Sequence, residues 1–245
     1  MVADMTTPRF RSWAVTHVGA VRKHNEDAYV DRPDQGIWAV ADGAGGHSAG
    51  EVASGMIAEA LQAIPPGLSA PELLGQVRLA LENTHLALRE EAARRGPKEI
   101  VASIVVVMLA RGNYFACLWA GDSRAYLLRQ GEFRQITRDH SLVQELLEAG
   151  AIGPEEAMNH PRGNVITRAV GAELDEFALD KISDRLLPGD RFLLCSDGLC
   201  KTLPESELAS LLATIDATPP QAMVEAALAA NVTDNVTAVA VEFTG

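Results

Sequence analysis

Basic charge is scarce in this sequence. Across 245 residues, 21 lysines and arginines face 33 aspartates and glutamates, and the formal net charge is −12. Such a surface repels nucleic acid and anionic lipid, so neither is expected as a partner. Cysteine is scarcer still. Cys117, Cys195 and Cys200 form an odd, sparse set that builds no disulfide framework, and a reducing cytoplasm fits. Cys117 and Cys195 stand in apolar runs, as core residues do. No Cys/His set has the spacing of zinc ligands. Long hydrophobic runs are missing too: the most apolar segment, Ile104 to Ala110, is far shorter than the roughly 20 residues of a bilayer span. Asp4, Arg9 and Arg11 surround no signal-peptide-like apolar stretch. There is no internal repeat and no clear linker. With 47% apolar content, the chain reads as one domain over residues 1–245, with a loose tail over about 1–10.

What is present alternates between apolar runs and turn signals. Strands are expected at Ser12 to Val21, Ile37 to Ala41, Ser103 to Ala110, Tyr114 to Ala120, Arg124 to Leu128, Glu132 to Ile136, Phe177 to Ile182, Arg191 to Ser196 and Val236 to Phe243. Helices are expected at about Gly50 to Ala63, from Ser69 to near Gly96, and at Ser141 to Ala149. Leu74, Val77, Leu81 and Leu88 mark one side of the second. Ser69 with Glu72, Thr202 with Glu205 and Thr218 with Gln221 have capping-box spacing. Ala151 to Gly163 reads as an irregular insertion. Short turns such as Arg111-Gly112-Asn113 favour hairpins over crossovers. The expected class is α+β: two antiparallel sheets packed face to face with helices outside.

One grammar recurs. Trp38 to Ala41 runs into Asp42-Gly43, Cys117 to Gly121 into Asp122-Ser123, and Phe192 to Ser196 into Asp197-Gly198. Asp234-Asn235 shows it in reverse, ahead of the strand at Val236. A carboxylate at the end of a buried strand is rigid and partly desolvated, which costs free energy unless it is paired. The small residue that follows lets the backbone turn and another group approach. If the strands lie side by side, the aspartates converge. A divalent cation would relieve their repulsion, and oxygen ligands suit Mg²⁺ or Mn²⁺. Glu26 and Asp27 add two carboxylates after the first strand. Alone they read as a charged turn, and beside a metal Arg22 becomes a candidate phosphate clamp. The Gly43 to Gly46 loop lacks the Gly-Lys-Ser/Thr ending of a nucleotide loop. His47 and His140 are weak acid–base candidates, and His160-Pro161 is uninformative.

Taken in order, these motifs resemble the protein phosphatase type 2C family of metal-dependent serine/threonine phosphatases. The series is Val21-Arg22-Lys23-His24-Asn25-Glu26-Asp27-Ala28, Ala41-Asp42-Gly43-Ala44-Gly45-Gly46-His47, Ala120-Gly121-Asp122-Ser123-Arg124-Ala125-Tyr126, and Thr137-Arg138-Asp139-His140-Ser141. It continues with Asn164 to Gly171, Pro188-Gly189-Asp190, Ser196-Asp197-Gly198-Leu199 and Asp234-Asn235-Val236-Thr237. The resemblance implies a sandwich flanked by helix pairs and two bridged ions, Mn²⁺ or Mg²⁺. Asp42 would bridge them and the Gly43 carbonyl would join one. Asp197 and Asp234 would hold the other, and Glu26 and Asp27 would support the first directly or through water. A third ion would take Asp122 with Asp197. Arg22 would bind substrate phosphate, and residues 151–163 would form a flap.

It implies hydrolysis of phosphoserine and phosphothreonine by a water that the two ions activate. Partners would be phosphorylated proteins and an opposing serine/threonine kinase, with the phosphatase itself a monomer. Some bacterial members accompany type VI secretion systems. Two departures stand out: Ala102-Ser103-Ile104 replaces Gly-Thr-Thr, and Ala44 stands where animal members carry a histidine proposed as general acid. The competing classes are a catalytically dead relative that binds phosphoproteins and a two-metal nuclease. Asp42, Asp197 and Asp234 are all present, against the first. The acidic balance counts against the second.

Overall fold

The computed structural model describes residues 9–45, 49–158, 160–172, 177–214 and 218–245. Among these residues, ten strands form two five-stranded sheets. They are β1 (Phe10–His17), β2 (Asp27–Arg32), β3 (Ile37–Ala44), β4 (Ala102–Arg111), β5 (Tyr114–Ala120), β6 (Arg124–Arg129), β7 (Glu132–Gln135), β8 (Asp180–Arg185), β9 (Arg191–Cys195) and β10 (Val236–Phe243). One sheet has the order β1-β10-β9-β6-β7 and the other β2-β3-β4-β5-β8. Every pair is antiparallel. The α+β sandwich expected from the hairpin turns is the fold observed.

Its central strands are apolar on both faces because both faces are covered. Trp38 and Val40 of β3, Val106 and Met108 of β4, and Val239 and Val241 of β10 meet between the sheets. Ala39, Ala41, Val105 and Val107 point the other way, onto α1 (Ala49–Gln62) and α2 (Ala70–Arg95). On the opposite side, Leu193, Cys195, Ala238 and Ala240 pack against α5 (Asp197–Cys200), α6 (Glu205–Ala213) and α7 (Pro219–Ala229). Helices α3 (Leu142–Glu148) and α4 (Pro154–Met158) lie in the segment between β7 and β8.

Several boundaries differ from expectation. The first strand ends at His17, because Gly19 turns the chain with φ 83°. Phe10 lies inside β1 opposite Phe243, and residues 1–8 of the expected tail lie outside the described residues. The sequence 27–32, unassigned above, is strand β2. Residues 151–163 contain the helical turn α4. Of the three capping boxes, the one at Ser69 forms, with the Glu72 carboxylate accepting from Ser69 N at 2.8 Å. Thr202 is not a cap, since Pro204 is the N-cap of α6. Thr218 sits at the N-cap of α7 without a side-chain bond.

Candidate functional site

The inner face of β3 carries Trp38, Val40 and then Asp42, so the buried strand delivers a carboxylate to the end of the sandwich. Asp27 opens β2 directly opposite Asp42 in the antiparallel register, and residues so paired share a face. Thr237 of β10 donates its hydroxyl to Asp27 Oδ2 at 2.7 Å, bridging the two sheets. Far from a charged turn, Asp27 is 9% exposed. Asp197 is the first residue of α5, where β9 ends. Asp234 precedes β10, and the backbone N–H of Ser196 donates to Thr237 O at 3.1 Å, tying the two strand ends together.

Close backbone contact explains the Asp-Gly grammar. A Cβ on Gly43 would lie 2.1 Å from Gly50 O and 2.6 Å from Glu26 O. One on Gly198 would lie 2.0 Å from Asn235 O. Real side chains do not approach that closely, so glycine lets three loops nest. Asn235 locks them: its amide donates to Val18 O at 2.9 Å and His24 O at 3.0 Å, and its Oδ1 accepts from Glu26 N at 2.8 Å. Ser103, the departure noted above, donates to Asp42 O at 2.9 Å, so it holds the strand end in place.

Asp42, Asp122, Asp197, Asp234, Glu26 and Arg22 line one cavity of about 500 Å³. Asp27 stands behind Asp42. Burial pushes the Asp42 carboxyl well above the ordinary carboxylate range, and the charges of Asp27, Asp197, Asp122 and Asp234 push the same way. Asp27 is pushed up to about 7, chiefly by burial, against hydrogen bonds from Thr237 and Ser196. Burial likewise raises Glu26 and Asp122, with Arg22 opposing in the first case and Lys201 in the second. Crowded, desolvated carboxylates of this kind are poised to accept positive charge.

The chain supplies some of that charge itself. Arg22 Nη2 donates to Asp234 Oδ2 at 2.8 Å, with the guanidinium half exposed at the cavity. Lys201 Nζ stands 2.8 Å from both Asp122 Oδ2 and Asp197 Oδ2. Among the described residues no three His, Cys, Asp or Glu side chains form a ready-made cation cage. The donor set around Asp42 is nevertheless carboxylate and carbonyl oxygen, which fits Mn²⁺ or Mg²⁺. The Asp122–Asp197 end does not fit equally, because an ammonium lies between the two carboxylates.

Other expected residues fall elsewhere. His140 Nδ1 accepts from Gly121 N at 3.1 Å, while Nε2 lies 3.2 Å from Asp180 Oδ2. Its burial lowers its affinity for a proton, and its work is to fix the turn that carries Asp122. His160 accepts from Arg162 N within its loop. His47 lies outside the described residues. Asn164 and Ile166, which follow the expected flap segment, line the cavity. Sequence reasoning missed Lys201 and Thr237. Lys201 had a signal, its four-residue spacing from Asp197. Thr237 had none, because a polar residue inside an apolar strand does not reveal its partner.

Comparison with known proteins adds a family. A model described as "Protein phosphatase 2C" matches residues 20–232. The serine/threonine phosphatase stp of Listeria monocytogenes is 36% identical over 204 residues, 80% of this chain and 81% of the relative. Among solved structures, PppA, described as a key regulatory component of T6SS in Pseudomonas aeruginosa, is 45% identical. It superposes with a TM-score of 0.87 over 95% of this chain and 97% of its own. The catalytic domain of the serine/threonine phosphatase PstP, in complex with two manganese ions, is 32% identical. Its TM-score is 0.81, over 96% of this chain and 99% of its own.

Proposed function

The chain belongs to the protein phosphatase 2C family and is a serine/threonine protein phosphatase, and on that premise we propose how its own residues carry the reaction. The observation behind the proposal is the convergence of Asp42, Asp197, Asp234 and Glu26, with Asp27 behind them, on the cavity that also holds Arg22. Asp42 and the Gly43 carbonyl, with Asp197 and Asp234, would hold two divalent ions. Glu26 and Asp27 would support one of them directly or through water. When bound, such ions lower the pKa of a water and neutralise charge that develops on phosphate oxygens.

The remaining roles belong to the protein. Arg22 receives the substrate phosphate with its planar N–H groups. Asp27 holds a negative charge behind Asp42 while Thr237 fixes its orientation. Asn235 and the nested glycines keep the loops in register, so the ligands need little rearrangement. Ala44 offers no proton to the leaving alcohol, which leaves that step to solvent inside the cavity.

The substrates in this reading are phosphoserine and phosphothreonine proteins, and the functional opponent is a serine/threonine kinase. The match to PppA favours a place in type VI secretion control. No helix among the described residues is long and apolar enough to cross a membrane, which is compatible with cytoplasmic action as a single catalytic domain.

The test is one Mn²⁺-supplemented assay on p-nitrophenyl phosphate, a phosphothreonine peptide, and single- and double-stranded DNA. Release of phosphate from the first two, with intact DNA, is expected. DNA cleavage without phosphate release would establish a nuclease instead, and peptide binding without turnover a dead relative.

A further inference from the structure

We propose that Lys201 is the resident cation of the Asp122–Asp197 end of the cavity, so that this protein takes the inner ions but no ion between those two carboxylates. The inference rests on the phosphatase reading and departs from it at the third ion.

The geometry carries it. Lys201 follows the short helix α5 and lies one turn after Asp197. Its Nζ makes two charged hydrogen bonds of 2.8 Å, to Asp122 Oδ2 and to Asp197 Oδ2. Asp122 is only 3% exposed, and Lys201 is the cation that pairs with it. The turn bearing Asp122 is pinned from behind, with Gly121 N bonded to His140 Nδ1 at 3.1 Å and His140 N bonded to Gly121 O at 2.9 Å. Asp122 therefore cannot easily swing towards a different partner. A lysine ammonium has three N–H donors and no lone pair, so it satisfies both carboxylates but cannot itself ligate a metal.

Competition favours the tethered charge. An ion held by Asp122 and Asp197 alone would have two protein ligands and mostly water, a weak site for Mg²⁺ or Mn²⁺. The ammonium needs no diffusion to reach that place, and its attachment gives it a high local concentration. A divalent ion entering beside it would meet like charge at short range in a partly buried site. The two occupants exclude one another.

Lys201 also acts on the inner site. It engages Oδ2 of Asp197 and leaves Oδ1 outside that bond, which makes it a positioning residue for an inner-ion ligand. The positive charge between Asp122 and Asp197 is then present at any metal concentration.

The experiment is Mn²⁺ titration followed by calorimetry and by electron paramagnetic resonance. It compares the full chain with Lys201→Gln, Lys201→Ala, Lys201→Arg, Asp122→Asn and the Lys201→Gln/Asp122→Asn pair. Wild type and Lys201→Arg should bind two ions per chain, and Asp122→Asn should not change that number. Lys201→Gln should gain one weaker ion, lost again in the double variant. Lys201→Ala repeats the test should the glutamine variant fold poorly. A wild-type protein that binds a third ion dependent on Asp122 overturns the proposal. So do lysine-free variants that gain no ion. If wild type binds no Mn²⁺ at all, the phosphatase reading of the site fails as well, and the ion count separates the two failures.

Discussion

Arg22 reaches the cavity on a loop, half exposed, with one N–H already given to Asp234. In the proposed role, Arg22 would share its guanidinium between that carboxylate and the substrate phosphate. A hydrogen bond to a charged group contributes roughly 1.5–3 kcal/mol net, and about 1.4 kcal/mol is tenfold in binding. Arg22→Ala should therefore raise KM on a phosphopeptide roughly tenfold and change kcat by less than about threefold. Steady-state kinetics checks this, and a collapsed kcat at unchanged KM would place Arg22 in the transition state alone. Asp27 allows a second prediction. Asp27→Asn keeps an oxygen for the Thr237 hydroxyl but removes a buried charge opposite Asp42. The metal-free protein should melt higher at pH 8 and bind Mn²⁺ more weakly, measured by scanning calorimetry and titration. A lower melting temperature would show that the charge itself holds the loops.

Elements differ in how much backbone contact they tolerate. Gly198, in the first turn of α5, has Asn235 O where a Cβ would stand, so Gly198→Ala must push β9 away from the Asp234 loop. A loss of several kcal/mol, in the range of severe overpacking, and loss of Mn²⁺ binding are expected together. Gly75 is the control: it is exposed within α2, and a Cβ added there would meet nothing within 4 Å. Gly75→Ala should stabilise by about 1 kcal/mol. Thermal melts of both variants test the contrast.

The same contrast explains what could be read in the sequence. β3 and β10 were legible because long apolar runs stop at Asp-Gly and start after Asp-Asn. β2 was not, since six residues with aspartates near both ends look like a charged loop until β3 pairs with them. Phe177 suggested a strand start, yet its ring stacks on His85 at 4.6 Å and serves the α2 layer, while β8 begins at Asp180. Thr202 suggested a cap, but its N–H bonds to Leu199 O at 3.1 Å and places it in the turn that ends α5. The carboxylate set was readable as a recurring pattern. Its two internal cations were less so, because which carboxylate each one meets depends on how the loops nest.

At the scale of the molecule, the acidic cavity is stabilised by cations and opposed by its own charge. Asp27 has a folded pKa of about 7 against an ordinary 3.8, so the folded state holds more protons than the unfolded. Stability from that group is fully present below about pH 4 and lost as pH rises through about 7. Asp42, Asp122 and Glu26 are shifted in the same direction. The metal-free protein should thus melt lower at about pH 8 than at about pH 5. Added Mn²⁺ should raise the melting temperature more at the higher pH, where its ligands are deprotonated. A metal-free melting temperature that climbs over this range would show that the carboxylates are not crowded in the way described.

The most direct measurement is phosphate release from a phosphothreonine peptide by metal-stripped protein, with elemental analysis confirming the stripping and with Asp42→Asn alongside. The account predicts no turnover until Mn²⁺ or Mg²⁺ is added, recovery on addition, loss again with EDTA, and background rates for Asp42→Asn throughout. Full turnover by the stripped wild type, or near-normal turnover by Asp42→Asn, would contradict it.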